Sequence, residues 1–155
     1  MRIVMALALA LGSMGNVAMA QDGAAQAKSD SDDLDKALAL MMAGRSQVEG
    51  EALEKKLKEA SAFPFGSKEN PVRAQGPAGQ RAYLARLRCE NLKRPEFYRA
   101  GSAGVSPYGN IVDVYVVTCE GSAPAKSDIY IDMYHRGHIE DAAVPGFGIV
   151  GGRAQ

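Results

Sequence analysis

The chain has 155 residues, enough for one domain, and its 18 basic residues balance its 18 acidic residues. Balanced charge excludes a protein that is held to nucleic acid by bulk electrostatic attraction. With 46% apolar residues the chain can build a hydrophobic core, and an aromatic content of only 6% makes that core mainly aliphatic.

The first twenty residues have the pattern of an export signal peptide. Arg2 precedes an apolar run over residues 3–11, and small residues close the segment at Ala20. This run is too short to cross a membrane, because a transmembrane helix needs about 20 apolar residues. We therefore predict that residues 1–20 are cleaved, that the mature chain has no transmembrane segment, and that the protein is periplasmic or secreted.

The chain contains two cysteines, Cys89 and Cys119. Export would place them in an oxidising compartment, where cysteines pair. Their spacing does not fit a structural zinc site or a Cys-x-x-Cys redox motif. We predict one intramolecular disulfide, with free or intermolecular thiols as the alternative.

The mature chain is predicted to fold as a single α+β domain over residues 31–155, after a polar leader at 21–30. Apolar residues at helical spacing predict a first helix over 30–43. Ser46 and Glu49 have the spacing of a capping box and predict the start of a second helix. These two helices are expected to form a hairpin.

A third helix is expected to begin at Gly76-Pro77, because proline suits the first helical position, and to end between Leu87 and Cys89. The helical part of the domain is thus residues 31–89. The preceding segment, FPFGSKENPVRAQGPAG at 63–79, is punctuated by Gly, Pro and Ser and is expected to form a loop up to the start of this helix.

Residues 96–150 are predicted to form an antiparallel β-meander, because the apolar period drops to two. Residues 111–117 are almost entirely apolar and indicate the central strand, covered on more than one side. The expected strands are residues 97–101, 110–119, 128–135 and a short fourth strand over 147–150.

Positive charge is concentrated in residues 66–99, which hold 8 basic and 3 acidic residues. Arginine forms a bidentate fork to carboxylate or phosphate, so Arg81, Arg86 and Arg88 are candidate ligand-binding residues. The expected partners are an anionic small molecule, a lipid headgroup or an acidic envelope protein. A solvated surface without a ligand is the alternative. The whole basic segment contains Arg73, Arg81, Arg86, Arg88, Lys93, Arg94 and Arg99.

The last long strand carries Tyr130, Asp132 and Tyr134 on the face opposite its apolar residues. This face is predicted to be in contact with water, with Ile129 and Ile131 facing the core. Tyrosine is enriched in protein interfaces, so the polar face is a second candidate contact surface.

Asp132, His135 and His138 provide two imidazoles and a carboxylate within seven residues, and together they could bind a divalent metal ion. This set supports the alternative of a small metal-dependent or hydrolytic envelope enzyme. The other interpretation is that both histidines only end a strand. No Walker sequence and no G-x-S-x-G elbow is present in the sequence.

Four segments resemble small exported proteins of Gram-negative bacteria: GSKENPVR, GPAGQRAYLARLRC, SPYGNIVDVYVVTC and IDMYHRGH. The resemblance covers residues 66–150 and implies an exported protein, but it assigns no catalytic or binding residue. The predicted order of helices and strands is also similar to that of small envelope scaffold and inhibitor domains, which implies a fold and not a function.

These patterns together predict an exported cell-envelope protein that binds a ligand or partner without catalysing a reaction. No cofactor and no nucleic acid partner are expected.

Overall fold

The computed structural model describes residues 34–151. Among the helices of this range, none combines the length and the apolar character that a membrane crossing requires. The elements in chain order are α1 (34–42), α2 (Gly50–Ala60), β1 (Val72–Arg73), α3 (Gly76–Arg86), β2 (Leu87–Arg88), β3 (Glu96–Val105), β4 (Ile111–Thr118), β5 (Lys126–Asp132) and β6 (Gly148–Ile149).

The first two helices lie close to their predicted positions. The predicted signal peptide, the leader and the start of the first helix fall outside the described residues. The capping box is wrong: α2 begins at Gly50, and no side chain caps it. Ser46 Oγ instead accepts hydrogen bonds from Val48 N at 3.2 Å and from Asn110 Nδ2 at 3.1 Å. The Ser46 hydroxyl, which was predicted to cap α2, therefore binds a distant asparagine instead.

Helix α3 begins at Gly76 with proline in its first turn, as predicted. It ends at Arg86, because Leu87 has an extended backbone and starts β2. One face of α3 buries Tyr83 and Leu84. That face forms the core with the main sheet.

The main sheet has four strands in the order β1-β5-β4-β3. Strands β3, β4 and β5 pair in antiparallel fashion, and β4 is an inner strand with both faces largely buried, as predicted. The prediction of a purely antiparallel sheet is wrong, because β1 pairs parallel to β5, with Val72 opposite Ile131. The loop that was predicted before α3 therefore contains a short edge strand, in which Val72 is buried.

Strand β6 does not extend the main sheet as a fourth meander strand. It pairs in antiparallel fashion with β2, with Leu87 opposite Ile149, and forms a separate two-stranded sheet. Val150 N continues this contact by donating a hydrogen bond of 3.0 Å to Arg86 O.

The core lies between α3 and the face of the sheet that carries Tyr115, Val117, Ile129 and Ile131. The predicted disulfide between Cys89 and Cys119 is present and joins the ends of β2 and β4. Both cysteines are buried, so the disulfide is part of the packed interior.

Candidate functional site

The chain segments that follow β1 and β5 run side by side. Ala74 N donates to Asp132 O at 2.8 Å, and His135 N donates to Ala74 O at 3.1 Å. Because these backbone hydrogen bonds fix the two segments together, they bring Arg73 beside the turn that contains His135 and His138. Sequence reasoning missed this contact, since it depends on the parallel pairing of β1 with β5.

Asp132 is fully buried at the end of β5 and accepts hydrogen bonds on both carboxylate oxygens. Ser106 Oγ donates to Oδ2 at 2.7 Å, and Asn110 Nδ2 donates to the same oxygen at 2.9 Å. Tyr134 N donates to Oδ1 at 3.1 Å. This buried carboxylate therefore joins the turn before β4 to the end of β5.

His135 lies against this network. Its Nε2 is 3.4 Å from Asp132 Oδ2 but lacks hydrogen-bond geometry, and its ring makes an edge contact with Tyr108 at 5.3 Å between centroids. Tyr108 Oη is also buried and has no hydrogen-bond partner within residues 34–151. Burial is the main reason why the pKa of Tyr108 is raised, so the phenol remains protonated at neutral pH.

A cavity of about 390 Å³, which we call the basic cavity, opens beside this network. Two arginines and two histidines face it. Its one carboxylate, Glu49, is engaged by Arg45 at 2.8 Å. The arginines and histidines that line it are Arg73, His135, Arg136 and His138.

A second cavity of about 250 Å³, which we call the side cavity, shares Arg73 and His138 with the basic cavity. The other charged groups around it bind one another. Arg86 donates to Asp141 Oδ1 at 3.2 Å and to the backbone oxygen of Glu140.

Glu140 accepts hydrogen bonds from the ring of His138 at 3.2 Å and from Ala142 N at 3.1 Å. Burial alone would raise the pKa of Glu140, but these hydrogen bonds outweigh it and hold the pKa below its usual range. Glu140 is therefore ionised and already bonded at neutral pH.

Arg73 differs from these groups. It is half-buried, lines both cavities, and makes neither an ion pair nor a side-chain hydrogen bond with any of residues 34–151. Arg73 lines the side cavity together with Glu140, and its positive charge acts to lower the pKa of Glu140 and of Tyr108. A partly buried guanidinium without a carboxylate partner can bind an anion.

The three arginines that the sequence singled out do not form one site. Arg81 is exposed on α3, and Arg86 is bound to Asp141 and to backbone oxygens. Arg88 donates to Ala85 O at 3.1 Å and to Leu87 O at 2.7 Å. Arg86 and Arg88 therefore have structural partners within the chain.

The predicted polar face of β5 is only partly exposed. Tyr130 is half-buried, whereas Asp132 and Tyr134 are buried. The expectation that these two residues are in contact with water is wrong, because the turn that contains Ser106 and Asn110 covers this end of the sheet. Tyr134 lines the basic cavity, while Tyr130 lies in a separate groove beside Phe147.

The candidate metal ligands are only partly brought together. Asp132 and His135 are in contact, and both histidines line the basic cavity, but the ring of His138 is bonded to Glu140. In the part of the chain that the structure describes, no three His, Cys, Asp or Glu side chains converge in a way that could hold a metal ion.

A second polar cluster joins α3 to β4 on the core face of the sheet. Gln80 Nε2 donates to Asp113 Oδ2 at 3.0 Å, and Gln80 Oε1 accepts from Tyr115 Oη at 2.9 Å. Arg99 donates to Asp113 Oδ1 at 2.7 Å. Burial alone would raise the pKa of Asp113, but the bonds from Arg99 and Gln80 lower it below its usual range.

Several residues of the site carry only a weak signal in the sequence. Ser106 and Asn110 belong to the segment SPYGN, whose composition is typical of a turn. Both are nonetheless buried, because their side chains bind Asp132. Arg73 could be recognised as part of the basic segment, but nothing in its spacing separates it from Arg81 or Arg86.

Comparison with known proteins adds no assignment: no protein family matches this chain, and neither a curated protein sequence nor a solved structure matches it.

Proposed function

We propose that this chain is an exported protein of the bacterial cell envelope or its surroundings that binds a small anionic ligand and does not catalyse a reaction. Three observations support export: the signal-like pattern of residues 1–20, the resemblance to small exported proteins, and the buried disulfide. Disulfides persist in oxidising compartments such as the periplasm.

The observation that carries the binding proposal is the state of Arg73. It is the cation shared by two adjoining cavities, and its neighbours Arg86 and Glu140 already have partners. A carboxylate or phosphate bound there would form the charge-assisted hydrogen bonds that Arg73 lacks within residues 34–151. Arg136 also lines the basic cavity and adds positive potential there.

The contacts of the site favour binding over hydrolysis. A serine nucleophile needs a hydrogen bond to its base, but Ser106 Oγ donates to Asp132 and not to His135. Ser46 Oγ is likewise occupied by Val48 N and Asn110 Nδ2. Both buried hydroxyls therefore have structural partners.

The test of the binding proposal is titration of the mature protein with sodium acetate and with inorganic phosphate, followed by ¹⁵N-¹H NMR at constant ionic strength. We expect saturable shifts at Arg73, Arg136 and His138. The change Arg73→Gln should abolish them. Arg81→Gln, a matched change at an exposed arginine outside both cavities, should leave them intact.

If the two variants respond alike, anion recognition at Arg73 is refuted. Circular dichroism spectra of both variants show whether each is folded. Export is tested separately by mass spectrometry of the purified protein: a retained amino terminus together with two alkylatable thiols would contradict it.

A further inference from the structure

The basic cavity and the side cavity meet at the same two side chains, Arg73 and His138. A ligand whose anionic group is held by Arg73 therefore has its remaining atoms beside the entrance to the side cavity. What lines that cavity decides which chemical group fits there.

The charged groups around the side cavity, apart from Arg73, are engaged with one another. Arg86 binds Asp141 and two backbone oxygens, and Glu140 binds His138 and Ala142 N. The hydroxyl of Tyr83 is likewise used, since it donates to Ala142 O at 3.0 Å. A ligand would find few free hydrogen-bonding side chains here.

The surface that remains is small and apolar. Gly79 and Ala82 of α3 line the cavity together with Ile139. Ile139 is 61% exposed, so its side chain is accessible to an apolar group of a ligand. A second charge or a polar group would gain nothing from these walls, whereas an alkyl group would leave water.

We infer that the ligand is a small amphipathic anion, whose carboxylate or phosphate is bound by Arg73 and whose apolar group occupies the side cavity against Ala82 and Ile139. This inference rests on the proposed function and narrows it from any anion to one that carries an alkyl or comparable apolar group. The basic cavity, at about 390 Å³, lies within the size range of small-molecule sites, and the adjoining side cavity adds about 250 Å³.

The test compares three probes of matched size or charge in the NMR titration: acetate, hexanoate and hexan-1-ol. Each methylene group that leaves water contributes about fourfold to affinity, so hexanoate should bind at least about tenfold more tightly than acetate. Hexan-1-ol lacks the charge and should bind more weakly than hexanoate.

The change Ala82→Phe fills the side cavity from an exposed position of α3. It should remove the preference for hexanoate over acetate. Ala85→Phe is the matched control, because Ala85 is exposed on the same helix but lines neither cavity. This control should retain the preference.

The outcomes separate the two proposals. Equal affinity for acetate and hexanoate, both lost in Arg73→Gln, would overturn the amphipathic ligand and leave anion binding standing. Absence of binding by acetate and hexanoate would overturn both. Hexan-1-ol binding as tightly as hexanoate would show that the charge is not recognised. If the protein cosedimented with phosphatidylglycerol vesicles but did not bind hexanoate, its target would be a membrane surface and the inference would be overturned.

Discussion

Replacing Asp132 by asparagine tests whether the buried network around β5 holds the site together. Oδ2 of this carboxylate accepts hydrogen bonds from Ser106 and Asn110, and Oδ1 accepts one from Tyr134 N. An amide keeps the shape but offers one acceptor and one donor, so the asparagine must place an NH₂ group against existing donors. The variant Asp132→Asn thus removes charge and acceptor capacity at a position with no solvent exposure.

The size of the effect follows from these bonds. A hydrogen bond to a charged group contributes about 1.5 to 3 kcal/mol, and a buried donor left without a partner costs about 1 to 3 kcal/mol. The hydroxyl of Ser106 can rotate to recover part of this loss, whereas Asn110 Nδ2 has only donors to offer. We expect Asp132→Asn to lower the free energy of unfolding by about 3 kcal/mol.

The assay is urea denaturation followed by circular dichroism, analysed for both the midpoint and the slope. With a slope of about 2 kcal/mol/M, the midpoint should fall by about 1.5 M. Asp128→Asn is the control, because Asp128 is exposed on the same strand and should shift stability by less than about 0.5 kcal/mol. If Asp132→Asn matched this control, the network would contribute nothing to stability and the reasoning would be refuted.

Three further changes have defined expectations. Replacing both Cys89 and Cys119 by serine should lower the free energy of unfolding by about 3 to 4 kcal/mol, because the disulfide closes a loop that spans 30 residues. Thermal unfolding measures this loss. A reductant should lower the stability of the wild-type protein but not that of the variant. Gly66→Ala should destabilise the fold by about 1 to 3 kcal/mol more than Gly121→Ala, as measured by urea denaturation. Both glycines have positive φ, but of the two only Gly66 would bring a Cβ into collision with Val144. Because Arg99 and Gln80 lower the pKa of Asp113, this carboxylate stabilises the fold above the unfolded pKa of about 4, and that contribution is lost as the pH falls through the lower folded pKa. Denaturation midpoints between pH 6 and pH 2.5 should therefore fall less steeply for Asp113→Asn than for wild type, and parallel curves would contradict the assignment.

Elements set by local chemistry were predictable from the sequence. Gly76-Pro77 marks the start of α3, and the apolar run of β4 indicates an inner strand; both are confirmed. The disulfide could be predicted because a chain with two cysteines has one intramolecular pairing. Each of these inferences needs only a short stretch of chain or a count.

Features that depend on distant contacts were not predictable. Strand β1 has only two residues and gains its stability from β5, which no pattern within residues 66–75 reveals. Strand β6 pairs with β2, since Leu87 and Ile149 meet across the end of α3. Local periodicity contains no information about such pairings.

The candidate site was partly predictable for the same reason. The alternation along β5 places Asp132 opposite the apolar face, but it does not show that the turn before β4 folds over that side. Charge clustering indicated residues 66–99 as the anion-binding segment. Within the described residues, however, Arg86 and Arg88 bind other groups of the chain, whereas Arg73 lines the cavity without such a bond. Which arginine remains available is decided by tertiary structure.

The pairing of β1 with β5 joins two segments that are about sixty residues apart in the chain. Closing so long a loop costs conformational entropy, and contacts of this kind slow folding. Arg73 therefore reaches its place only when the intervening helix and strands have assembled, and a nascent or partly unfolded chain offers no comparable binding site. An anion held at Arg73 and His138 would clamp the two segments together and shift the folding equilibrium toward the native state.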